Sequence, residues 1–411
     1  MALIFFFLED LGLSSMSSTS SLKPRESSSD IAHPTVPTLL RMTHTFTWTG
    51  HTQGGEPFRR VMERIHLAKP YWDDECEKAA LDTLSSGRWV KGPQAKLFGE
   101  EFANYCGAVS AVPCQSGSAA LWASMRLLDI GPGDEVIVPG MTFIATATSV
   151  SLAGATPVFA DIEEDYWCIC PDDVEAKITE RTKAVIGVHI FGQPFSPKLR
   201  EICTKHDIAL VEDAAQAHGA SLDGIKAGAI GDIACFSFFP SKNMAVGGEG
   251  GMITTTRVDL AKKMSRIVDH GRNDQLESIE MGTNLRMSEV SAAIGRIQLK
   301  HLEEWTTKRR QNADSIKHQT KIRTDSEHAW HQLCILNDNP SELISRFDAA
   351  GIDARVHYPI PCNRHQVYSE HFQHNQPLPN CEKIAHRLVA IPVHPFISQE
   401  DIERINSVLN P

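Results

Sequence analysis

The sequence predicts an α/β protein, a mostly parallel sheet covered on both faces by helices, with a smaller α+β domain after it. Two observations carry this reading. Between residues 65 and 297, short apolar runs rich in Val and Ile recur at 109–114, 135–139, 156–162, 184–189, 209–212, 233–238 and 251–255. Runs of that length are too short for the helices of a bundle and suit buried strands. Between several of them lie helix-like stretches, among them 118–128 and 197–206. Strand–helix–strand alternation needs crossover connections, and these lay helices on both faces of a parallel sheet.

The flanking segments differ. Residues 1–64 are serine-rich over 14–29 and polar and irregular over 43–55, with no amphipathic period. A disordered N-terminal extension is expected there, with Met42 and Met62 as alternative starts. Residues 65–305 make the expected large domain. A charged helical stretch follows Gln298 through Arg310. Residues 306–411, with a strand-like 331–336 and helix-like 341–350 and 399–409, make the expected small domain. No internal repeat is evident.

The composition, 42% hydrophobic and 22% charged over 411 residues, is that of an ordinary globular protein. A net charge of -11 argues against a dedicated nucleic-acid binder, which would show a basic face. The basic run Lys308, Arg309, Arg310 reads as a solvated helix face. The ten cysteines are scattered without a framework spacing and without a Cys-x-x-Cys pair, which predicts reduced, mostly buried thiols and a cytoplasmic protein. The apolar start at 2–8 stops at Glu9, far short of the roughly 20 residues that span a bilayer. It also lacks a basic leader and a small-residue cleavage site, so neither a membrane segment nor export is expected.

In an open α/β sheet, ligands sit beyond the carboxyl ends of the strands, so the residues just after each run are the ones to examine. The run at 233–238 leads directly to Lys242. A lysine at a protected strand end suits imine formation with an aldehyde cofactor, since desolvation favours the neutral nucleophile. Taken alone, the segment serves equally well as an exposed loop. The run at 209–212 closes on Asp213, with Gln216 three residues on. A pyridine ring is an electron sink only while its nitrogen stays protonated, and an aspartate against that nitrogen holds the proton. Gln216 could hydrogen-bond the ring hydroxyl; alone, Asp213 could be a helix N-cap. After the run at 109–114 come Ser116, Gly117, Ser118 and Ala119, a turn into a helix. A helix start offers open N–H groups and a positive dipole end to a phosphate. After 135–139 comes Phe143, which could stack on a flat ring or simply fill core.

Two other features carry less. Gly247 to Gly251 is glycine-rich but precedes a strand, so it does not fit the dinucleotide fingerprint. His357, His365, His371 and His374 cluster near Cys362, but their spacing matches no standard zinc ligand pattern.

Together these motifs resemble the DegT/DnrJ/StrS family of pyridoxal-phosphate sugar aminotransferases, over roughly residues 65–299. The similarity runs through Ser86 to Pro93, Gly131 to Pro139 with Thr142 and Phe143, Glu212 to Gln216, Cys235 to Lys242, Gly248 to Gly251, and Asn284 to Glu289. The resemblance implies the aspartate-aminotransferase fold (fold type I), with a large seven-stranded domain and a small one. It implies that the cofactor is pyridoxal 5'-phosphate, that Lys242 is its Schiff-base lysine and the catalytic base, and that Asp213 pairs with the pyridinium nitrogen. It places Gln216 near the ring hydroxyl and Phe143 on the ring face. Gly117, Ser118 and Ser237 would bind the phosphate, with Ala119 beside them. Asn284 would reach the phosphate from the partner subunit, making a homodimer the working unit.

The expected reaction moves an amino group from glutamate or glutamine to a keto-sugar, with a nucleotide-linked 4-keto- or 3-keto-6-deoxyhexose as the expected acceptor. Cys362 and Asn363 stand where the family usually carries Leu-His, and 310–331 is short for the family. Both departures fall where substrate contacts usually lie and leave the substrate open. A keto-cyclitol aminotransferase is one alternative. A sugar dehydratase is another, but such relatives carry histidine at the lysine position, and Lys242 argues against it. A non-catalytic regulatory or scaffold relative would have lost Lys242 or Asp213, and both are present.

Overall fold

The seven apolar runs become the seven strands of one sheet. The structure, a computed structural model, describes residues 63–370 and 376–410. The strands are β1 (Ser110–Cys114), β2 (Glu135–Pro139), β3 (Thr156–Ala160), β4 (Thr182–Val188), β5 (Ala209–Asp213), β6 (Ile233–Ser237) and β7 (Gly251–Thr255). Their spatial order is β1-β7-β6-β5-β4-β2-β3. Every pairing is parallel except those of β7, which runs antiparallel to both β1 and β6. The cause is the connection. No helix forms between β6 and β7, so the chain turns at the carboxyl edge and re-enters from the same side, which an antiparallel pair permits and a parallel one does not. Residues 238–250, with Lys242 among them, therefore lie along that edge.

Strands β2 and β7 are buried at every residue, as expected for a sheet with both faces covered. Helices α1 (Asp74–Ser85) and α2 (Pro93–Cys106) precede β1 and pack on a 27-residue helix spanning Glu289–Ser315. Helix α3 (Gly117–Leu127) packs on β6 and β7 and against α4 (Ala145–Leu152). The long helix runs without interruption through residue 305.

A second sheet of three antiparallel strands, β8 (Leu333–Leu336), β9 (Arg355–Val356) and β10 (Leu388–Ile391), has the order β8-β10-β9. Helices at Pro340–Ala349 and Gln399–Leu409 bury Phe347, Ile402 and Ile405 in a core with Leu333, Val389 and Ile391.

One sequence expectation is corrected. Arg309 is not on a solvated face: it is buried, and its Nη1 donates to the Trp330 carbonyl at 3.0 Å. A basic run marks a helix face, but the 3.6-residue period turns only some of its members toward solvent. All ten cysteines are free thiols, nine of them buried. Among the described residues no helix is long and apolar enough to cross a membrane. The N-terminal extension up to residue 62, His371 and His374 lie outside the described residues.

Candidate active site

The carboxyl ends of β1, β5 and β6 converge on one edge of the sheet, where β7 begins. Gly251 pairs with Cys114 on one side and Ser237 on the other. A Cβ at Gly251 would lie 2.4 Å from the Ser116 backbone, and one at Gly117 would lie 2.7 Å from the Ser237 Cβ. Only glycines let the Ser116 turn, Ser237 and the start of β7 approach this closely.

This packing brings the start of α3 to the crevice. Ser116 caps the helix, its side chain accepting from the Ala119 N–H at 3.1 Å. The Gly117 and Ser118 N–H groups make no hydrogen bond among the described residues. Two open amides at the positive end of a helix, with the exposed Ser118 and the Ser237 hydroxyl beside them, form an anion cradle. Of the residues expected there, Ala119 differs in that its amide is already engaged by the cap.

Asp213 closes β5 and is buried. Its Oδ2 accepts from Thr146 Oγ1 at 2.8 Å and its Oδ1 from the Ala215 N–H at 3.2 Å. Thr146, in the first turn of α4, is itself 3.0 Å from Thr142, which precedes the helix. Burial raises the Asp213 carboxyl above its ordinary value, while the two donors and the charges of Lys242 and His189 pull it back. The neighbouring Glu212 faces the other way. It accepts from the His189 ring, at 2.9 Å, and from the N–H groups of Gly228, Ile230 and Gly231.

Lys242 follows β6 and is partly buried. Burial pulls its ammonium down to about 8, against the opposing pull of the Asp213 carboxylate. The next residue holds the loop in place. Asn243 is buried; its Nδ2 donates to the Ala329 carbonyl at 3.0 Å, and its Oδ1 accepts from the His331 Nδ1–H at 3.1 Å. His218 packs between the Phe236 and Phe238 rings, and among the described residues neither of its nitrogens has a hydrogen-bond partner within ordinary geometry. Burial and the charge of Lys242 take it down to about 3, so it is neutral.

Gln216 is buried near Asp213; its Oε1 accepts the Phe191 N–H at 2.5 Å and its Nε2 donates to Tyr358 at 2.6 Å. Phe143 is 57% exposed, so it is no core residue, and its ring lies 6.4 Å from that of Tyr358. Asn284 is exposed and bridges to Asp269 through the backbone. Asp269 in turn binds Lys91, Arg272 and Arg286, which hold it down to about 2 against the effect of burial. The structure thus gathers Gly117, Ser118, Ala119, Ser237, Lys242, Asp213 and Gln216 on one edge, with Phe143 beside Tyr358. Sequence reasoning missed the partners: Thr146, Asn243, His331 and Tyr358. Thr146 alone carried a signal, lying four residues beyond Thr142 in the same segment after a strand end.

A sheet of this order, with a desolvated lysine and a buried carboxylate at its carboxyl edge and a helix start beside them, defines a pyridoxal-phosphate-dependent transaminase. The chain belongs to the DegT/DnrJ/EryC1/StrS aminotransferase family, whose model matches residues 70–410. It is 36% identical over 343 residues to the dTDP-3-amino-3,4,6-trideoxy-alpha-D-glucose transaminase of Streptomyces venezuelae, covering 80% of this chain and 90% of that protein. It is also 36% identical over 345 residues to the UDP-N-acetyl-3-dehydro-alpha-D-glucosamine 3-aminotransferase of Acidithiobacillus ferrooxidans, covering 82% and 93%. The structure of S. venezuelae DesV in complex with a ketimine intermediate superposes with a TM-score of 0.80 at 35% identity, over 85% of this chain and 98% of that one.

Proposed function

We propose that this chain holds pyridoxal phosphate at Lys242 and moves an amino group from glutamate or glutamine to the carbonyl of a nucleotide-linked keto-hexose. The observation that carries the reading is the pair of Lys242 and Asp213, each shifted toward its neutral form by burial at one sheet edge. The acceptor class follows from the relatives, which are named for dTDP- and UDP-linked amino sugars. A nucleotide-linked deoxyhexose, the expectation from the sequence, falls within it.

The residues fit the cofactor. The cradle closed by Gly117 and Gly251 matches a phosphate in its open amides and its dipole. Asp213 is buried with two hydrogen-bond donors that favour its carboxylate, and a protonated ring nitrogen would suit it as a counter-charge. Phe143 offers a ring face, and Ala119 lines the turn. The cofactor, when bound, supplies the electron sink that makes the carbon bearing the amino group acidic.

Lys242 does the proton work. With an ammonium near 8, a useful fraction of the amine is free near neutral pH, and it can take a proton from that carbon and return one. Asn243 keeps its backbone in register with the crevice. Asp213 would hold a protonated ring nitrogen, and the hydrogen bond from Thr146 favours the ionised form of Asp213 against the effect of burial. The Phe143 and Phe191 rings both lie near that of Tyr358, giving the crevice an aromatic side.

The working unit is a homodimer in this reading, with Asn284 of the partner subunit completing the phosphate site. Its support is exposure: Asn284 faces solvent, and so do Trp89, Val90, Leu276 and Met281, on segments tied together by the Lys91–Asp269 ion pair.

The test is to reduce the holoprotein with borohydride and locate the cofactor mass by peptide mapping. The adduct is expected on Lys242, and an adduct on another lysine contradicts the assignment. The acceptor is then read by offering nucleotide-linked keto-hexoses and keto-cyclitols to the pyridoxamine-loaded protein and following the visible absorbance.

A further inference from the structure

Gln216 is used at both ends. Its Oε1 takes the Phe191 N–H, which turns the amide nitrogen toward Tyr358, and the Tyr358 hydroxyl oxygen accepts from that nitrogen. The two residues are 142 positions apart, one at the end of β5 and one after β9, so this contact joins the two sheets across the crevice. Tyr358 is held by its ring, stacked on Phe191 at 6.2 Å and 13°. Its hydroxyl is near enough to Asp213 for that carboxylate to oppose its ionisation, though burial is the larger cause.

The hydrogens can be counted. The amide nitrogen of Gln216 carries two and spends one on Tyr358. The phenol has accepted and still owns its hydrogen. Neither remaining hydrogen finds an acceptor among the described residues. Two adjacent donors with no acceptor call for an oxygen, and an anionic oxygen gains most from both. With its ionisation pushed up, the phenol stays a donor throughout the physiological range.

We propose that Gln216 and Tyr358 form a two-donor pocket for the ionised ring oxygen of pyridoxal phosphate, with Tyr358 the second donor. This rests on the cofactor reading above and adds a contact from the small sheet. Donors to that oxygen stabilise its ionised form, so they lower the pH at which the bound chromophore loses its proton.

The experiment is a spectrophotometric pH titration of the holoprotein and of Tyr358→Phe, which keeps the stacked ring. The transition of the visible band should rise by about one pH unit in the variant, the effect of losing one hydrogen bond to a charged acceptor. A second readout is binding, by fluorescence quenching, of pyridoxal phosphate and of its 3-deoxy analogue, which lacks the ring hydroxyl. The wild type should prefer the true cofactor about tenfold more strongly than the variant does. Absence of any visible band in the wild type would overturn the cofactor reading itself. A normal wild-type band with the same transition and the same preference in Tyr358→Phe would overturn the two-donor pocket alone.

Discussion

Replacing Thr146 by valine removes one hydroxyl and changes almost nothing in volume. In the wild type that hydroxyl donates to Asp213 Oδ2 at 2.8 Å, and both residues are buried. A hydrogen bond to a charged group contributes about 1.5–3 kcal/mol, and each 1.36 kcal/mol is one pKa unit. Thr146 stabilises the ionised form, so its loss raises the Asp213 carboxyl further, by about one to two units. At any pH on the acid side, less of the carboxylate is then available to hold a cationic ring nitrogen. Cofactor affinity should fall about 10- to 100-fold, and the acid limb of its pH profile should move upward by the same one to two units. The assay is equilibrium titration of apoprotein with pyridoxal phosphate between pH 5 and 8 (about the range where proteins remain folded). Thr146→Ser keeps the donor and should restore both affinity and pH profile. A valine variant that binds like the wild type, or a serine variant that fails like valine, would refute the reasoning.

Three further outcomes are expected. Reductive labelling of Lys242 in the apoprotein should rise with pH to half its maximum near 8, the value set by burial, whereas surface lysines rise near 10.4; peptide-resolved mass spectrometry measures both. Gly117→Ala should weaken phosphate binding while leaving Asp213 intact, because the new Cβ would lie 2.7 Å from Ser237 Cβ and must push the cradle open; pyridoxal phosphate should lose at least about tenfold in affinity and phosphate-free pyridoxal much less. Mixing inactive Lys242→Ala and Asn284→Ala proteins should recover roughly a quarter of the wild-type rate, since random reassortment leaves one intact site in half the dimers; no recovery after verified subunit exchange would remove Asn284 from the partner's site.

The strands were legible because a strand buried on both faces is a contiguous apolar run. The expected 135–139 and 251–255 match β2 and β7 residue for residue. Direction was not legible, since the apolar pattern of β7 is the same whichever way it runs. Helix α1 escaped notice because it buries only Cys76 and Thr83, too thin a stripe to read as a period. The long helix was read only from its charged second half; its true start lies at the Ser288 cap, whose side chain accepts from Ser291 N–H. In the site, the rule that ligands lie beyond strand ends picked out Lys242 and Asp213, which the structure brings to the same sheet edge. It could not supply Thr146 for Asp213 or Tyr358 for Gln216, because those contacts join positions 67 and 142 residues apart. Separations of that size are settled by how layers stack, which no local pattern encodes.

Asn243 has a wider bearing than its two hydrogen bonds suggest. Its side chain, anchored to Ala329 and His331, fixes the path of the loop one residue beyond Lys242. The backbone at 242 is thus held from next door rather than by its own side chain. A fold arranged in this way separates where the reactive group stands from what the reactive group is. Exchange of lysine for histidine at this position would then be a change of reagent on an unaltered bench.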